Sequence, residues 1–299
     1  MKTRVVIVGS RGRIGGSVVR RLSRNPAFEV TPLDRAALPL DEPEPIRVRL
    51  RERDFDVLVN CAAITGVDVC EAEPVTAHAV NTLAPEAMAE VCREKSARMI
   101  HLSTDYVFDG ETAGLRSEDE TPSPLGEYGK SKLAGEDRVL HAASGNLVIR
   151  TSWVFGPRRP SFPDMILERA RAGGVVEAIS DKWSSPCYSE DFAGWLEELL
   201  ARPDITGVLH LCNEGACSWQ EYGQATLDIY SRLTGESLPV TTVQPMPLSA
   251  MKHFTARRPI HSALSCARFT RLTGRHPRPW REALEAYLSE KFPTTNRTP

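Results

Sequence analysis

Tyr128 and Lys132 stand four residues apart in Tyr128-Gly129-Lys130-Ser131-Lys132. On a helix, side chains at that spacing share one face, about one turn apart. A phenol normally titrates near ~10, and a neighbouring ammonium favours the phenolate, which lowers that value and eases proton donation near neutrality. The pair therefore suits the reduction of a carbonyl, in which a proton must reach oxygen as hydride reaches carbon. Thr104, just past the strand-like run Met99 to Leu102, offers a hydroxyl for the same oxygen. Tyr-x-x-x-Lys is common by chance, so the reading depends on its surroundings.

A carbonyl reduction needs a hydride source, and the chain begins with a candidate cradle for one. Gly9-Ser10-Arg11-Gly12-Arg13-Ile14-Gly15 follows the apolar run Val5 to Val8 and opens a helical pattern, with Ile14, Val18, Val19 and Leu22 at helix-compatible spacing. Glycines there permit a tight turn and close approach of the backbone to a pyrophosphate at the positive end of the helix. Asp34 ends the second strand, about 20 residues past the last glycine, where an acid bonds the ribose hydroxyls of NAD. Arg35 follows at once and Arg11 lies in the turn, and either guanidinium suits a 2′-phosphate. The reading favours NADPH, with NADH possible.

These residues need elements to position them. Strand-like and helix-like segments alternate: Phe28 to Leu33, a helix over Pro45 to Arg53, Asp56 to Asn60, a long helical pattern over Glu73 to Lys95, Met99 to Leu102, a helix over Tyr128 to His141, and Leu147 to Arg150. Such alternation predicts an α/β fold with a doubly wound parallel sheet, its ligands beyond the carboxyl ends of the strands. After about Trp153 the texture changes, and Pro157, Pro160 and Pro163 punctuate a loop. Helices are expected over Ser189 to Leu200, Trp219 to Leu233 and Trp280 to Lys291. The division predicted is a dinucleotide-binding Rossmann domain over 1–152. Residues 153–299 would complete the sheet, interleaved with a smaller substrate lobe. The tail from Pro293 to Pro299 reads as polar and frayed.

Composition excludes other classes. A net charge of −2 over 299 residues gives no basic surplus for nucleic acid or an anionic membrane. No apolar run approaches the ~20 residues of a membrane span, and Val5 to Val8 is too short for a signal-peptide core. A cytoplasmic protein is expected. The 7 cysteines include no Cys-x-x-Cys pair, and the 7 histidines show no metal-ligand spacing.

The glycine turn, Ser103-Thr104-Asp105-Tyr106-Val107-Phe108-Asp109-Gly110 and Tyr128 to Glu136 together resemble the extended short-chain dehydrogenase/reductases. Within them the chain is most similar to the dTDP-4-dehydrorhamnose reductase (RmlD-type) family. Supporting segments are Val59 to Ala63, Val67-Asp68, Glu71 to Pro74, Asn81, Arg150 to Gly156, Ser185-Pro186, Tyr188, Asp191, Arg258-Pro259 and Ser262 to Leu264. The likeness covers nearly the whole chain. It implies reduction of the 4-keto group of a nucleotide-linked deoxysugar. Tyr128 would be the general acid, Lys132 its partner and a ribose ligand, and Thr104 the hydroxyl that positions the carbonyl. Gly9, Arg11, Gly12, Arg13 and Ile14 would line the pyrophosphate, with Cys61, Ala62, Ala63 and Ser103 alongside the cofactor. Thr65, Asp105, Tyr106 and Trp153 match positions near the sugar, and Arg258 is a candidate for the substrate diphosphate. Family likeness allows a monomer or a homodimer.

The chain departs from the pattern at three places: some relatives hold a metal ion between subunits through acidic residues, but Gly15 and Gly16 stand where an early acidic ligand would be, so no structural metal is expected. Val69 stands after Val67-Asp68, where the family often has a basic residue, which puts the identity of the sugar in question. Leu38-Pro39-Leu40-Asp41 alters the segment after the second strand and places Leu40 near the adenine. Alternatives are a reductase or epimerase of another keto-sugar nucleotide, or a regulatory subunit that binds a dinucleotide without turnover.

Overall fold

Val5 to Val8 alternate between two cores. Val5 and Ile7 pack on one face of a sheet, Val6 and Val8 on the other, and all four are buried. A strand covered on both faces reads as a continuous apolar run for this reason. The computed structural model describes residues 1–293; the tail expected from Pro293 onward lies, from Thr294, outside the described residues.

The first half contributes β1 (Thr3–Val8), α1 (Arg13–Leu22), β2 (Phe28–Leu33), α2 (Pro43–Arg51), β3 (Val57–Asn60), α3 (Val67–Ala72), α4 (Pro74–His78), α5 (Ala84–Glu94), β4 (Arg98–Thr104), α6 (Glu127–Ala142) and β5 (Leu147–Thr151). The second half contributes β6 (Val154–Phe155), α7 (Phe162–Arg171), β7 (Glu177–Ile179), β8 (Trp183–Ser184), β9 (Cys187–Tyr188), α8 (Ser189–Leu200), β10 (Gly207–His210), β11 (Cys217–Ser218), α9 (Trp219–Thr234), β12 (Gln244–Met246), α10 (Ala267–Thr273) and α11 (Trp280–Lys291).

Six strands form one sheet in the order β10-β5-β4-β3-β1-β2, all parallel. The expected doubly wound sheet is present. The chain runs outward from β1 to β2, then returns to β3 on the other side. This reversal parts the loops beyond β1 and β3 and leaves a crevice at their carboxyl ends. Helices α1 and α8 supply Val18, Leu22, Phe192 and Leu196 to one face; α2 and α5 supply Ile46, Leu50, Met88 and Val91 to the other. A separate core, rich in aromatic residues, joins Phe155, Ile166, Tyr188, Tyr222, Tyr230, Trp280 and Tyr287 in a smaller C-terminal lobe.

Several elements differ from expectation. Pro163 does not punctuate a loop but sits in the first turn of α7. There its missing N–H is no loss, and Ser161 and Asp164 exchange the hydrogen bonds of a capping box. Helix α2 begins at Pro43, two residues before the expected start, again with proline in the first turn. The long pattern over Glu73 to Lys95 divides into α4, a π-helical turn at Ala79–Leu83, and α5. Within that turn Asn81 is turned toward the loop after β3: its amide accepts from Ile64 N at 2.9 Å and donates to Ile64 O at 3.1 Å. No helix among the described residues is long and apolar enough to cross a membrane.

Candidate active site

A cavity of about 610 Å³ opens where β1 and β3 part. Gly9, Arg11 and Gly12 form one wall; Cys61, Ala62, Ala63 and Ile64 form the opposite one. Gly9 has φ +76°, and a Cβ there would come within 2.8 Å of Ala62 N, so only glycine lets the turn approach β3 this closely. Gly12 caps α1 with no side-chain hydrogen bond, leaving the first N–H groups of the helix available to an anion. Leu38 and Leu40 supply an apolar floor, and Asp34, Arg35 and Arg159 stand around it. A glycine-walled cradle at an uncapped helix terminus beside an apolar slot fits a dinucleotide.

Two of the charged residues are already committed. Asp34 Oδ1 accepts from Ala36 N and Ala37 N, while Oδ2 pairs with Arg11 Nε at 2.7 Å. The Ala37 N–H bond, more than Arg11, holds this carboxyl below its usual range. Arg13, expected to line the pyrophosphate, turns its guanidinium elsewhere. It donates to Val154 O of β6 at 3.0 Å, and to Arg159 O at 3.3 Å and Pro160 O at 2.9 Å in the loop that follows. Ile14 likewise turns its side chain into the core. For both, the backbone alone belongs to the turn.

Thr104 ends β4 and caps the 3-10 turn Asp105–Val107, accepting from Tyr106 N at 3.2 Å. Helix α6 lays Tyr128 and Lys132 beside it. The rings of Tyr106 and Tyr128 meet edge-on, 5.6 Å between centres. Lys132 is 1 % exposed; its ammonium donates to Leu102 O at 2.7 Å and lies 3.2 Å from His101 Nε2. His101 Nδ1 in turn lies 3.1 Å from the Asn60 amide, whose oxygen accepts from Ala62 N. One polar chain thus joins Lys132 to the cavity wall at Ala62. Ser103 Oγ, beside it, is buried without a partner.

Burial pushes Lys132 down to about 8, with Glu136 opposing the shift. Burial pushes the Tyr128 phenol up, and a Thr104 hydrogen bond draws it partly back. The expected lowering of Tyr128 by Lys132 is therefore corrected. A buried phenolate is costly, and the lysine is held by Leu102 and His101. At neutral pH Tyr128 carries its proton.

The sugar-side residues divide. Asp105 and Tyr106 lie beside Thr104. Trp153, at φ +40°, packs among Phe162, Trp219 and Tyr222 at the edge of the lobe core. Thr65 is exposed on the loop after β3. Arg258, the candidate for the substrate diphosphate, is paired: Nη1 and Nη2 reach Asp68 Oδ1 and Oδ2 at 3.0 and 2.5 Å, and the guanidinium stacks on Phe254. A second cavity of about 480 Å³ adjoins it, lined by Asp109, Lys252, Phe254 and Arg257. Among the described residues no group of three or more His, Cys, Asp or Glu is arranged to hold a metal.

Sequence reasoning missed two cations. Arg159 reaches the cofactor cavity from the Pro-Arg-Arg-Pro loop, and Lys182 lies buried beside Asp105. Neither has local spacing to betray it; the doubled arginine was the one available signal.

Known proteins with this arrangement are numerous. The model of the RmlD substrate binding domain matches residues 3–292. A probable dTDP-4,6-dihydroxy-2-methyloxan-3-one 4-ketoreductase of Streptomyces antibioticus is 34% identical, over 98% of this chain and 99% of its own. The dTDP-4-dehydrorhamnose reductase of Salmonella typhimurium is 31% identical, over 97% and 99%. The crystal structure of dTDP-4-dehydrorhamnose reductase from Bacillus anthracis in complex with NADP superposes with a TM-score of 0.89 at 27% identity, covering 97% of this chain and 100% of that one. The match spans the cradle, the Thr-Tyr-Lys set and the C-terminal lobe alike, and the chain belongs to the RmlD substrate binding domain family.

Proposed function

We propose that this protein reduces the 4-keto group of dTDP-4-dehydrorhamnose to give dTDP-rhamnose, using NADPH and able to accept NADH. The observation that carries the reading is the convergence of Thr104, Tyr128 and Lys132 at the carboxyl end of β4, beside a cavity suited to a dinucleotide. Bound in that cavity, the reduced nicotinamide supplies hydride to the carbonyl carbon. Tyr128, protonated by virtue of its burial, gives its hydrogen to the carbonyl oxygen as charge develops there. Thr104 holds that oxygen. Lys132, one turn along α6 from Tyr128, serves as a ribose ligand. Gly9, Gly12 and the first turn of α1 hold the pyrophosphate, Leu40 flanks the adenine, and Cys61, Ala62, Ala63 and Ser103 line the cofactor. Asp105, Tyr106, Trp153 and Thr65 border the sugar.

The preference for NADPH follows from Asp34. Its two oxygens are occupied by the following turn and by Arg11, while Arg35 and Arg159 remain at the rim to meet a 2′-phosphate.

A second reading keeps the chemistry and changes the sugar. Val69 is 50 % exposed where a base often stands, and the Streptomyces relative is named for a different dTDP-linked ketone. The test is loss of reduced-nicotinamide absorbance with purified protein, either cofactor and dTDP-4-dehydrorhamnose. One cofactor oxidised per sugar supports the reductase and argues against an epimerase. Tight cofactor binding without oxidation, with this sugar and other dTDP-linked ketones, would favour a regulatory subunit.

A further inference from the structure

Behind Thr104 lies a charged pair, Asp105 and Lys182, and the reduction as derived gives Lys182 no part. Asp105 is 3 % exposed and Lys182 1 % exposed. Two hydroxyls stand between them. Ser262 Oγ donates to Asp105 Oδ2 at 2.5 Å and receives from Lys182 Nζ at 3.5 Å. Ser184 Oγ lies 3.2 Å from the same ammonium and 3.1 Å from Ser262 Oγ. On its other side, Asp105 Oδ1 accepts from the Thr104 hydroxyl at 3.2 Å. The ammonium also stands 5.3 Å from the centre of the Tyr106 ring.

The Thr104 hydroxyl has one hydrogen, and besides the Tyr128 oxygen two acceptors claim it. It can donate to Asp105, as in this structure, or to the oxygen of the substrate. A buried carboxylate with nothing to offset its charge would win that competition. It would also repel the negative charge that grows on the substrate oxygen as hydride arrives, since the surroundings screen poorly. Lys182 opposes both effects.

We propose that Lys182 is a positioning residue for the reduction: acting through Ser262, it offsets the charge of Asp105 and so leaves the hydrogen of Thr104 free for the substrate oxygen. This rests on the role given to Thr104 above. The other charged and titratable groups around the cluster are Arg258 with its partner Asp68, and the phenols of Tyr106 and Tyr128. Burial raises Asp105 above the usual carboxylate range and Lys182 opposes the shift; burial lowers Lys182 to about 8 and Asp105 opposes that.

The test compares wild type, Lys182→Met, and Lys182→Met combined with Asp105→Asn. With dTDP-4-dehydrorhamnose and NADPH, Lys182→Met is expected to lose about 10- to 100-fold in kcat, a loss of the size that follows misplacement of a reacting group, with unchanged Kd for NADPH. A second readout is independent of turnover. An acid whose folded value exceeds its unfolded value costs nothing below the unfolded value and destabilises progressively as pH rises through the folded one. The Tm deficit of Lys182→Met should therefore widen as pH rises above the ordinary carboxylate range, below the titration of Lys182 itself at about 8. Adding Asp105→Asn should cancel the widening and recover part of kcat. A wild-type chain that leaves the sugar unreduced overturns the functional reading and, with it, the role of Lys182. With an active wild type, either full kcat in Lys182→Met or a pH-independent Tm deficit without rescue overturns this proposal alone.

Discussion

Removing the Tyr128 hydroxyl while keeping its ring should cost at least ~10²-fold in kcat, with NADPH binding retained, because general acid catalysis is worth that much. Single-turnover absorbance and a cofactor titration measure the two separately; wild-type turnover in Tyr128→Phe would end the mechanism. The pH dependence follows from Lys132. Burial disfavours its ammonium, so the folded value falls to about 8 and the charged form persists only below it. The kcat/KM of the free enzyme should decline as pH rises through about 8, and a profile flat to the ~10.4 of an ordinary lysine would reject the assignment. The limb should survive in Lys182→Met. At the rim of the cavity, Arg159→Ala and Arg35→Ala should each weaken NADPH by about tenfold or more and NADH far less, as loss of a hydrogen bond to a charged group implies. Equal effects on both cofactors would reject a 2′-phosphate there. Thr104, Tyr128 and Lys132 could be found in the sequence because a strand end and one helical turn bring them together. Lys182 could not, since its connection to Asp105 runs through Ser262, 157 residues away from that acid. For Arg13 the place in the glycine turn is local, while its guanidinium answers to carbonyls of β6 and of the loop beyond it.

Elements, not single residues, keep the site aligned. Helix α6 carries Tyr128 and Lys132 and leans on the π-helical turn at Ala79–Leu83. A Cβ on Gly135 would lie 2.2 Å from Asn81 O, and Asn81 also donates to Ser131 Oγ at 3.1 Å. Gly135→Ala must push α6 off this turn. Overpacking of that kind costs about 1–3 kcal/mol, so thermal unfolding should move to lower temperature and kcat should fall with it. An unchanged Tm would mean that the two segments yield without cost. Strands β1, β3, β4 and β5 were legible because short apolar runs between turn signals have few other readings, whereas the two- and three-residue strands of the second half offer no such run. Helix α7 was not legible, as three prolines suggested a loop while the capping pair Ser161 and Asp164 went unweighed. The π-helical turn left no mark on periodicity at all: it changes the phase of the helix to aim Asn81 at Ile64, a tertiary demand.

At the scale of the molecule, neither half is complete alone. The apolar alternation announced one doubly wound sheet and a change of texture after Trp153, but composition could not tell which later strand would close the sheet. It is β10, pairing in parallel with Leu147 to Arg150 of β5. A fragment of residues 1–152 would expose that edge, together with the apolar side chains that α8 covers on α1 and the sheet. Such a fragment should scatter light and bind a hydrophobic dye where the full chain does neither; a monomeric, cooperatively unfolding fragment would refute this. The same pairing sets a schedule for the chain as it is made. β5 ends at Thr151 and β10 begins at Gly207. At ~5–20 residues per second of synthesis, the edge of β5 waits roughly 3 to 11 s for its neighbour. For that interval a nascent chain holds a nearly finished nucleotide fold with one open flank, which makes the ribosome-bound intermediate, rather than the mature protein, the form most in need of a chaperone.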